Sequence, residues 1–241
     1  MHIKLPAAEL ERSHPAAPSV PPLQMGDHLS AAEFERRFDA MSELKKAELI
    51  EGIVYMPSPV SIDHHGEPHT AINGWLFVYQ AYTPGTQAAD NSTVRLDDRN
   101  EPQPDVLLRI LPAHGGRTTT ADGYVVGGPE LAAEVAASSA SYDLHSKLQV
   151  YYRHGIQEYV VWRVWDRTID WFVRGEGQYE LLPPDGTISK SRVFPGLWLD
   201  AAAMIAGNPA QVLAVLQQGL TSPEHAAFAE RLRQAAPSAG N

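Results

Sequence analysis

The stretch that most constrains this chain is Glu130-Leu131-Ala132-Ala133-Glu134-Val135-Ala136-Ala137-Ser138. It is an apolar run of small and β-branched residues with one carboxylate at its middle. It is too short for a core helix, and Gly127-Gly128-Pro129 precedes it, so it reads as a buried central strand. An isolated ionised carboxylate does not stay buried in such a strand. It protonates, finds a cationic partner or binds a metal. Two readings of Glu134 follow: an ion pair with an Arg or Lys of a neighbouring element, or a functional acid.

Two further residues bear on that choice. Asp105 opens a second apolar run, Gln103-Pro104-Asp105-Val106-Leu107-Leu108-Arg109-Ile110-Leu111, whose Pro fits the mouth of a strand. Lys147 lies in Tyr142-Asp143-Leu144-His145-Ser146-Lys147-Leu148-Gln149-Val150-Tyr151-Tyr152. That segment reads as an amphipathic helix with Leu144, Leu148, Tyr151 and Tyr152 on its inner face and Lys147 at the flank of that face. An Asp, then a Glu on the next strand, then a Lys on the following helix is the order of a metal-dependent phosphodiesterase.

Pro104-Asp105, Glu134-Val135-Ala136-Ala137-Ser138-Ser139, Asp143-x-x-x-Lys147 and Tyr151-x-x-x-Gly155-Ile156-x-Glu158-Tyr159 occur in that order. Together they resemble the Uma family of restriction-endonuclease-like proteins, within the PD-(D/E)xK nuclease superfamily. The resemblance runs from about Glu48 to about Leu199. It departs from the wider superfamily at one point: the Lys normally two residues after the Glu is Ala136 here, and Lys147 looks like its replacement.

The resemblance implies an α/β fold, a restriction-endonuclease-like core with a mixed β-sheet flanked by helices. It implies metal-assisted hydrolysis of a phosphodiester in nucleic acid, with DNA the expected substrate. Asp105, Glu134 and the backbone carbonyl of Val135 would hold Mg²⁺ or Mn²⁺, ions that take oxygen ligands. Lys147 would position water or neutralise developing charge, and Glu48, from the matching Glu-Leu-Ile-x-Gly motif, would support the cluster. His65 and Gln103 would sit behind the metal or touch phosphate. Glu51 reads as a turn residue. A homodimer is compatible with this reading.

Charge argues the other way. The chain carries 19 Lys plus Arg against 29 Asp plus Glu, net −10, whereas avid nucleic-acid binding is driven by basic surfaces. The rival is therefore a non-catalytic binding or assembly protein that keeps the fold. A third reading, a zinc site built from His64, His65 and His69, is weakened because Pro68 suits the first turn of a helix and leaves His64 and His65 in its entry loop. If the acids converge without metal, at least one should have a raised pKa, and Asp105→Asn should stabilise the metal-free protein by relieving repulsion.

The remaining chain frames the domain. A hydrophobic share of 44% over 241 residues supports one domain with tails: an arm over residues 1–27, a single endonuclease-like domain over 28–220 and a tail over 221–241, whose order is left open. No apolar run is long enough to cross a bilayer and no signal-peptide pattern opens the chain, so no membrane contact and a cytoplasmic location are expected. There are no cysteines, which removes thiolate chemistry. Ser30-Ala31-Ala32-Glu33 is a capping box for a first helix, residues 47–56 read as a strand or hairpin arm, and 91–96 as a strand. The Gly- and Thr-rich stretch from Pro112 to Pro129 reads as a long loop, solvated or facing substrate. Residues 157–164, 168–173 and 178–182 read as an antiparallel meander.

Overall fold

The computed structural model describes residues 20–56, 61–137 and 143–236. Most of the expected N-terminal arm, Ser138-Ser139 and Tyr142 lie outside them, as does Pro57-Ser58-Pro59, the segment expected to end the hairpin arm. Half of the expected capping box forms: Ser30 accepts from the Glu33 N–H and starts helix α1, Ala31–Asp39, while the Glu33 carboxylate turns to Arg36 and Arg37. Strands β1, Glu48–Ile50, and β2, Ile53–Tyr55, form an antiparallel hairpin. Its two-residue turn, Glu51-Gly52, has φ of 55° and 78°, the doubly left-handed turn whose twist matches a hairpin. This hairpin packs Leu49 and Val54 with Leu23 and Phe34 in a small cluster of its own.

Helix α2, Glu67–Tyr82, buries Ile72, Trp75, Leu76 and Tyr79, the spacing of one helical face. A wider π turn, Ile62–Gly66, runs directly into it. Strands β3 (Thr86–Asp90), β4 (Val94–Arg95) and β5 (Val106–Ile110) follow. The stretch expected as a loop between Pro112 and Pro129 is instead an ordered hairpin of β6 (Thr119–Ala121) and β7 (Tyr124–Val126), and β7 pairs with β4. Its turn is Asp122-Gly123, with φ of 51° and 86°. Arg109 ties it down by donating to the Thr119 carbonyl and Thr120 Oγ1.

Strand β8, Leu131–Ala136, has every residue buried. A second π turn, Asp143–Lys147, leads into α3, Leu148–Arg153. Strands β9 (Glu158–Arg163), β10 (Thr168–Arg174) and β11 (Tyr179–Leu181) form the expected meander. The six-stranded sheet has the order β11-β10-β9-β8-β5-β3. Its one parallel pair is β8 with β9, and the helical crossover a parallel pair needs is supplied by α3. Both faces are covered. Val106, Ala133, Val135 and Trp162 pack with α2 and the C-terminal helices, while Ala132, Ala136 and Val161 pack with Val150 and Tyr151 of α3.

Strands β12 (Ile188–Lys190) and β13 (Trp198–Asp200) form a short pair. Helices α4 (Ala201–Ile205), α5 (Pro209–Leu220) and α6 (Pro223–Ala235) complete the α2 side. The order left open beyond Ser222 is this last helix, which puts Phe228 and Leu232 into the main core. No described helix is long and apolar enough to cross a membrane.

Candidate active site

Antiparallel pairing sets Val106 opposite Ala133 and Leu107 opposite Ala132. Continuing that register by one residue brings Asp105 level with Glu134, at the end of two central strands. Side chains alternate along β8, so Glu134 shares its face with Ala132 and Ala136, toward α3. Both acids are buried.

Asp105 is held from three sides. Its Oδ2 accepts from the Val135 N–H at 2.9 Å and lies 3.4 Å from His65 Nε2. Its Oδ1 lies 3.0 Å from Lys46 Nζ. The neighbouring Ala136 carbonyl accepts from Val164 on the β9 side, so by strand alternation the Val135 carbonyl faces the Asp105 side together with its N–H.

Glu134 is held by α3 and the turn before it. Lys147 Nζ lies 2.8 Å from Glu134 Oε1 and 2.9 Å from Glu48 Oε1, and the Tyr151 hydroxyl donates to Glu134 Oε1 at 3.1 Å. Lys147 is thus not at a helix flank. It is buried between two carboxylates. Glu48 also accepts from the Gln103 N–H at 2.6 Å. Gln103 acts through its backbone, since its side chain donates to the Asn91 carbonyl at 2.6 Å. Glu51 points away, to Arg153.

At Asp105 the expected raised pKa is not found, because a lysine stands on its carboxylate. Burial alone would raise the Asp105 pKa, but the hydrogen bond from His65, the charges of Lys46 and Lys147 and the Val135 N–H together hold it well below the usual carboxylate range. The expectation that charge removal at Asp105 relieves strain is therefore corrected. Burial lowers the Lys46 pKa, yet Asp105, Glu134 and Glu48 outweigh it and keep the ammonium above its ordinary value.

The histidines do not form a zinc site. His65 sits in a helical turn and not in an entry loop, and its ring lies 5.5 Å from that of His69. His69 Nε2 meets Asp90 Oδ1 at 2.9 Å and the Asp105 carbonyl at 3.0 Å. His64 turns the other way and stacks at 4.0 Å on Trp165, beside a cleft of about 400 Å³ lined also by Glu67, Trp162 and Arg167. His114, in the Gly-rich stretch, bonds the Leu232 carbonyl on α6. It braces a helix. Among the described residues no three His, Asp or Glu side chains form a metal-binding group.

Sequence reasoning missed Lys46, Tyr151 and Asn91. Lys46 stands two residues before Glu48 and so on the same side of an extended chain, a signal available but unused. Tyr151 is four residues after Lys147, one helical turn away, and reaches the same Glu134 oxygen. Asn91 Oδ1 lies 3.0 Å from Lys46 Nζ. The donor set at this end of the sheet suits a hard divalent cation: the Asp105 and Glu134 carboxylates and a backbone carbonyl, with no sulfur. Lys46 already seats a positive charge on Asp105, which fits the site to a cation at that oxygen.

A crystal structure described as a "putative nuclease belonging to DUF820" from Anabaena variabilis superposes on this chain with a TM-score of 0.53. Identity is 15%, and the match covers 69% of this chain and 97% of that one. At that identity the likeness is one of fold. No curated protein matches the chain. The family profile of Uma2, described as "Putative restriction endonuclease", matches residues 31–202. That span holds both acids, both lysines and the whole central sheet, and the protein belongs to the Uma2 family.

Proposed function

We propose that the protein is a divalent-metal-dependent endonuclease that hydrolyses phosphodiester bonds of DNA. The observation that supports this reading is the meeting of Asp105 and Glu134 on adjacent central strands, with Lys147 bonded to Glu134 and Glu48. Asp105, Glu134 and the Val135 carbonyl would hold Mg²⁺ or Mn²⁺. When bound, the ion supplies a water of lowered pKa and neutralises charge on the phosphate. The chain's own residues do the rest. Val135 N–H and His65 fix the Asp105 carboxylate. Glu48 and Glu134, the latter braced by the Tyr151 hydroxyl, hold the Lys147 ammonium at one place, where a compact positive charge stabilises the phosphorane-like transition state.

Two observations favour a second reading, a non-catalytic relative that keeps the fold as a binding or assembly protein. The net charge is −10, and the buried acids are already neutralised by lysines. The deciding experiment is nicking of supercoiled plasmid in Mg²⁺ or Mn²⁺ by wild type, Asp105→Ala and Glu134→Ala. The nuclease reading expects cleavage by wild type only. Wild-type-rate cleavage by either variant refutes the site, and no cleavage together with no Mn²⁺ binding favours the scaffold.

A further inference from the structure

We propose that Lys46 is a resident counter-cation of the acidic site: its ammonium holds Asp105 Oδ1 in the metal-free protein and leaves that oxygen when a divalent ion binds. This rests on the metal-site reading above and adds a determinant of how tightly the ion is held.

The two lysines differ in how they are fixed. Lys147 is enclosed, its side chain 3% exposed, at the end of a helical turn and between two carboxylates. Lys46 lies on irregular chain between α1 and β1, and its side chain is 25% exposed. It approaches Asp105 from the solvent side, on a long flexible stem that loses rotamer freedom when its head is pinned. Lys46 is thus the mobile cation and Lys147 the static one.

Asp105 has one oxygen to offer. Oδ2 is taken by the Val135 N–H and His65, and Oδ1 by Lys46. A divalent ion brings twice the charge of an ammonium to the same oxygen, and two cations that close together repel each other. The ion therefore competes with Lys46 and leaves the Val135 bond intact. The displaced ammonium has a waiting partner. Asn91 Oδ1 already lies 3.0 Å from Nζ. Asn91 is itself locked, its N–H donating to the Asp105 carbonyl and its carbonyl accepting from Gln103. Lys46 held there stays beside the acids as a partly exposed positive charge for an incoming phosphate.

The test is isothermal titration of Mn²⁺ into wild type, Lys46→Met, Lys46→Arg and Lys45→Met. The methionine keeps the stem and removes the competing charge. Lys45, which donates to the Ser42 carbonyl, controls for the loss of one positive charge anywhere nearby. Expected is Mn²⁺ binding about tenfold tighter in Lys46→Met, the equivalent of about 1.4 kcal/mol, with Lys46→Arg and Lys45→Met near wild type. Binding by Lys46→Met where wild type shows none supports the proposal equally. Unchanged or weaker binding by folded Lys46→Met, with wild type binding, overturns the counter-cation role and leaves the metal site standing. Equal tightening in Lys45→Met also overturns it, as a bulk charge effect. No heat from any of the four removes the metal site and this role together. Circular dichroism checks folding, and Lys46→Gln replaces the methionine variant should that one unfold.

Discussion

Lys147 Nζ lies 2.8 Å from Glu134 Oε1, with the two side chains 3% and 5% exposed. Removing one partner of a buried pair leaves a bare charge inside the protein, at a cost of roughly 3–5 kcal/mol. Lys147→Ala should therefore melt roughly 10 °C lower in EDTA for a domain of this size. It should also lose turnover far more than Mn²⁺ affinity, because its charge serves the transition state. Lys147→Arg should be a poor rescue, since a wide guanidinium does not replace a compact ammonium in a closed site. Melts in EDTA and Mn²⁺, with single-turnover plasmid cleavage, check all three.

Asp105→Asn should lower the melting temperature in EDTA. The carboxylate is stabilised by His65, Lys46 and the Val135 N–H, so its charge is an asset in the folded state. Saturating Mn²⁺ at ~100 times its dissociation constant should add about 2.7 kcal/mol to wild type, a rise of roughly 5–10 °C. Asp105→Asn should lose that rise. Four melts decide it, and a metal shift that survives the substitution places the ion elsewhere.

Glu101 is a further buried titrating group, paired through its backbone with Leu49 beside Glu48. Burial and the neighbouring Glu35 push its pKa up to about 8, with Arg95 opposing them. The folded state then keeps a proton that the unfolded chain releases near its ordinary value of 4.5. Stability should fall as pH rises from about 5 to about 8 and level off beyond. Glu101→Gln should flatten that slope, read as melting temperature against pH. A wild type and variant with parallel profiles would remove Glu101 as the cause.

Glu158 is a buried acid with a different job. It accepts from Ser191 Oγ at 2.7 Å, the Arg192 N–H at 2.6 Å and the Val193 N–H at 3.2 Å. It thereby anchors the chain between β12 and β13 to the sheet. Glu158→Ala strands those donors and should cost roughly 2–4 kcal/mol, while the Mn²⁺-induced melting shift stays that of wild type. A lost shift would show that Glu158 communicates with the metal site.

What the sequence revealed, and what it hid, follows from the range of the forces. Strand β8 was legible because a wholly buried strand has no polar face to disguise it. Asp105 and Glu134 were legible as acids opening or interrupting such strands. Lys147 was misplaced to a flank because hydropathy counted it as polar, although 144, 147, 148 and 151 form one helical stripe. The hairpin inside 112–129 was readable from Asp122-Gly123 and was hidden by the Gly and Thr around it. Helix α6 was readable from its Ser222-Pro223 start, and its Ala-rich face obscured Phe228 and Leu232. Lys46 showed only its two-residue spacing from Glu48, and not its partner Asp105. It meets Asp105 across 59 residues of chain, and no local period reports a contact of that range.

That separation also orders events in time. The Glu134–Lys147 pair closes a loop of only 13 residues, inside a single strand–helix unit, and needs little search. The Lys46–Asp105 contact waits until the N-terminal hairpin has docked on the finished sheet, because long loops must be closed before their contacts stabilise anything. An ion that recognises the completed site binds after the folding barrier has been crossed. Mn²⁺ should accordingly slow unfolding and leave the refolding rate where it was.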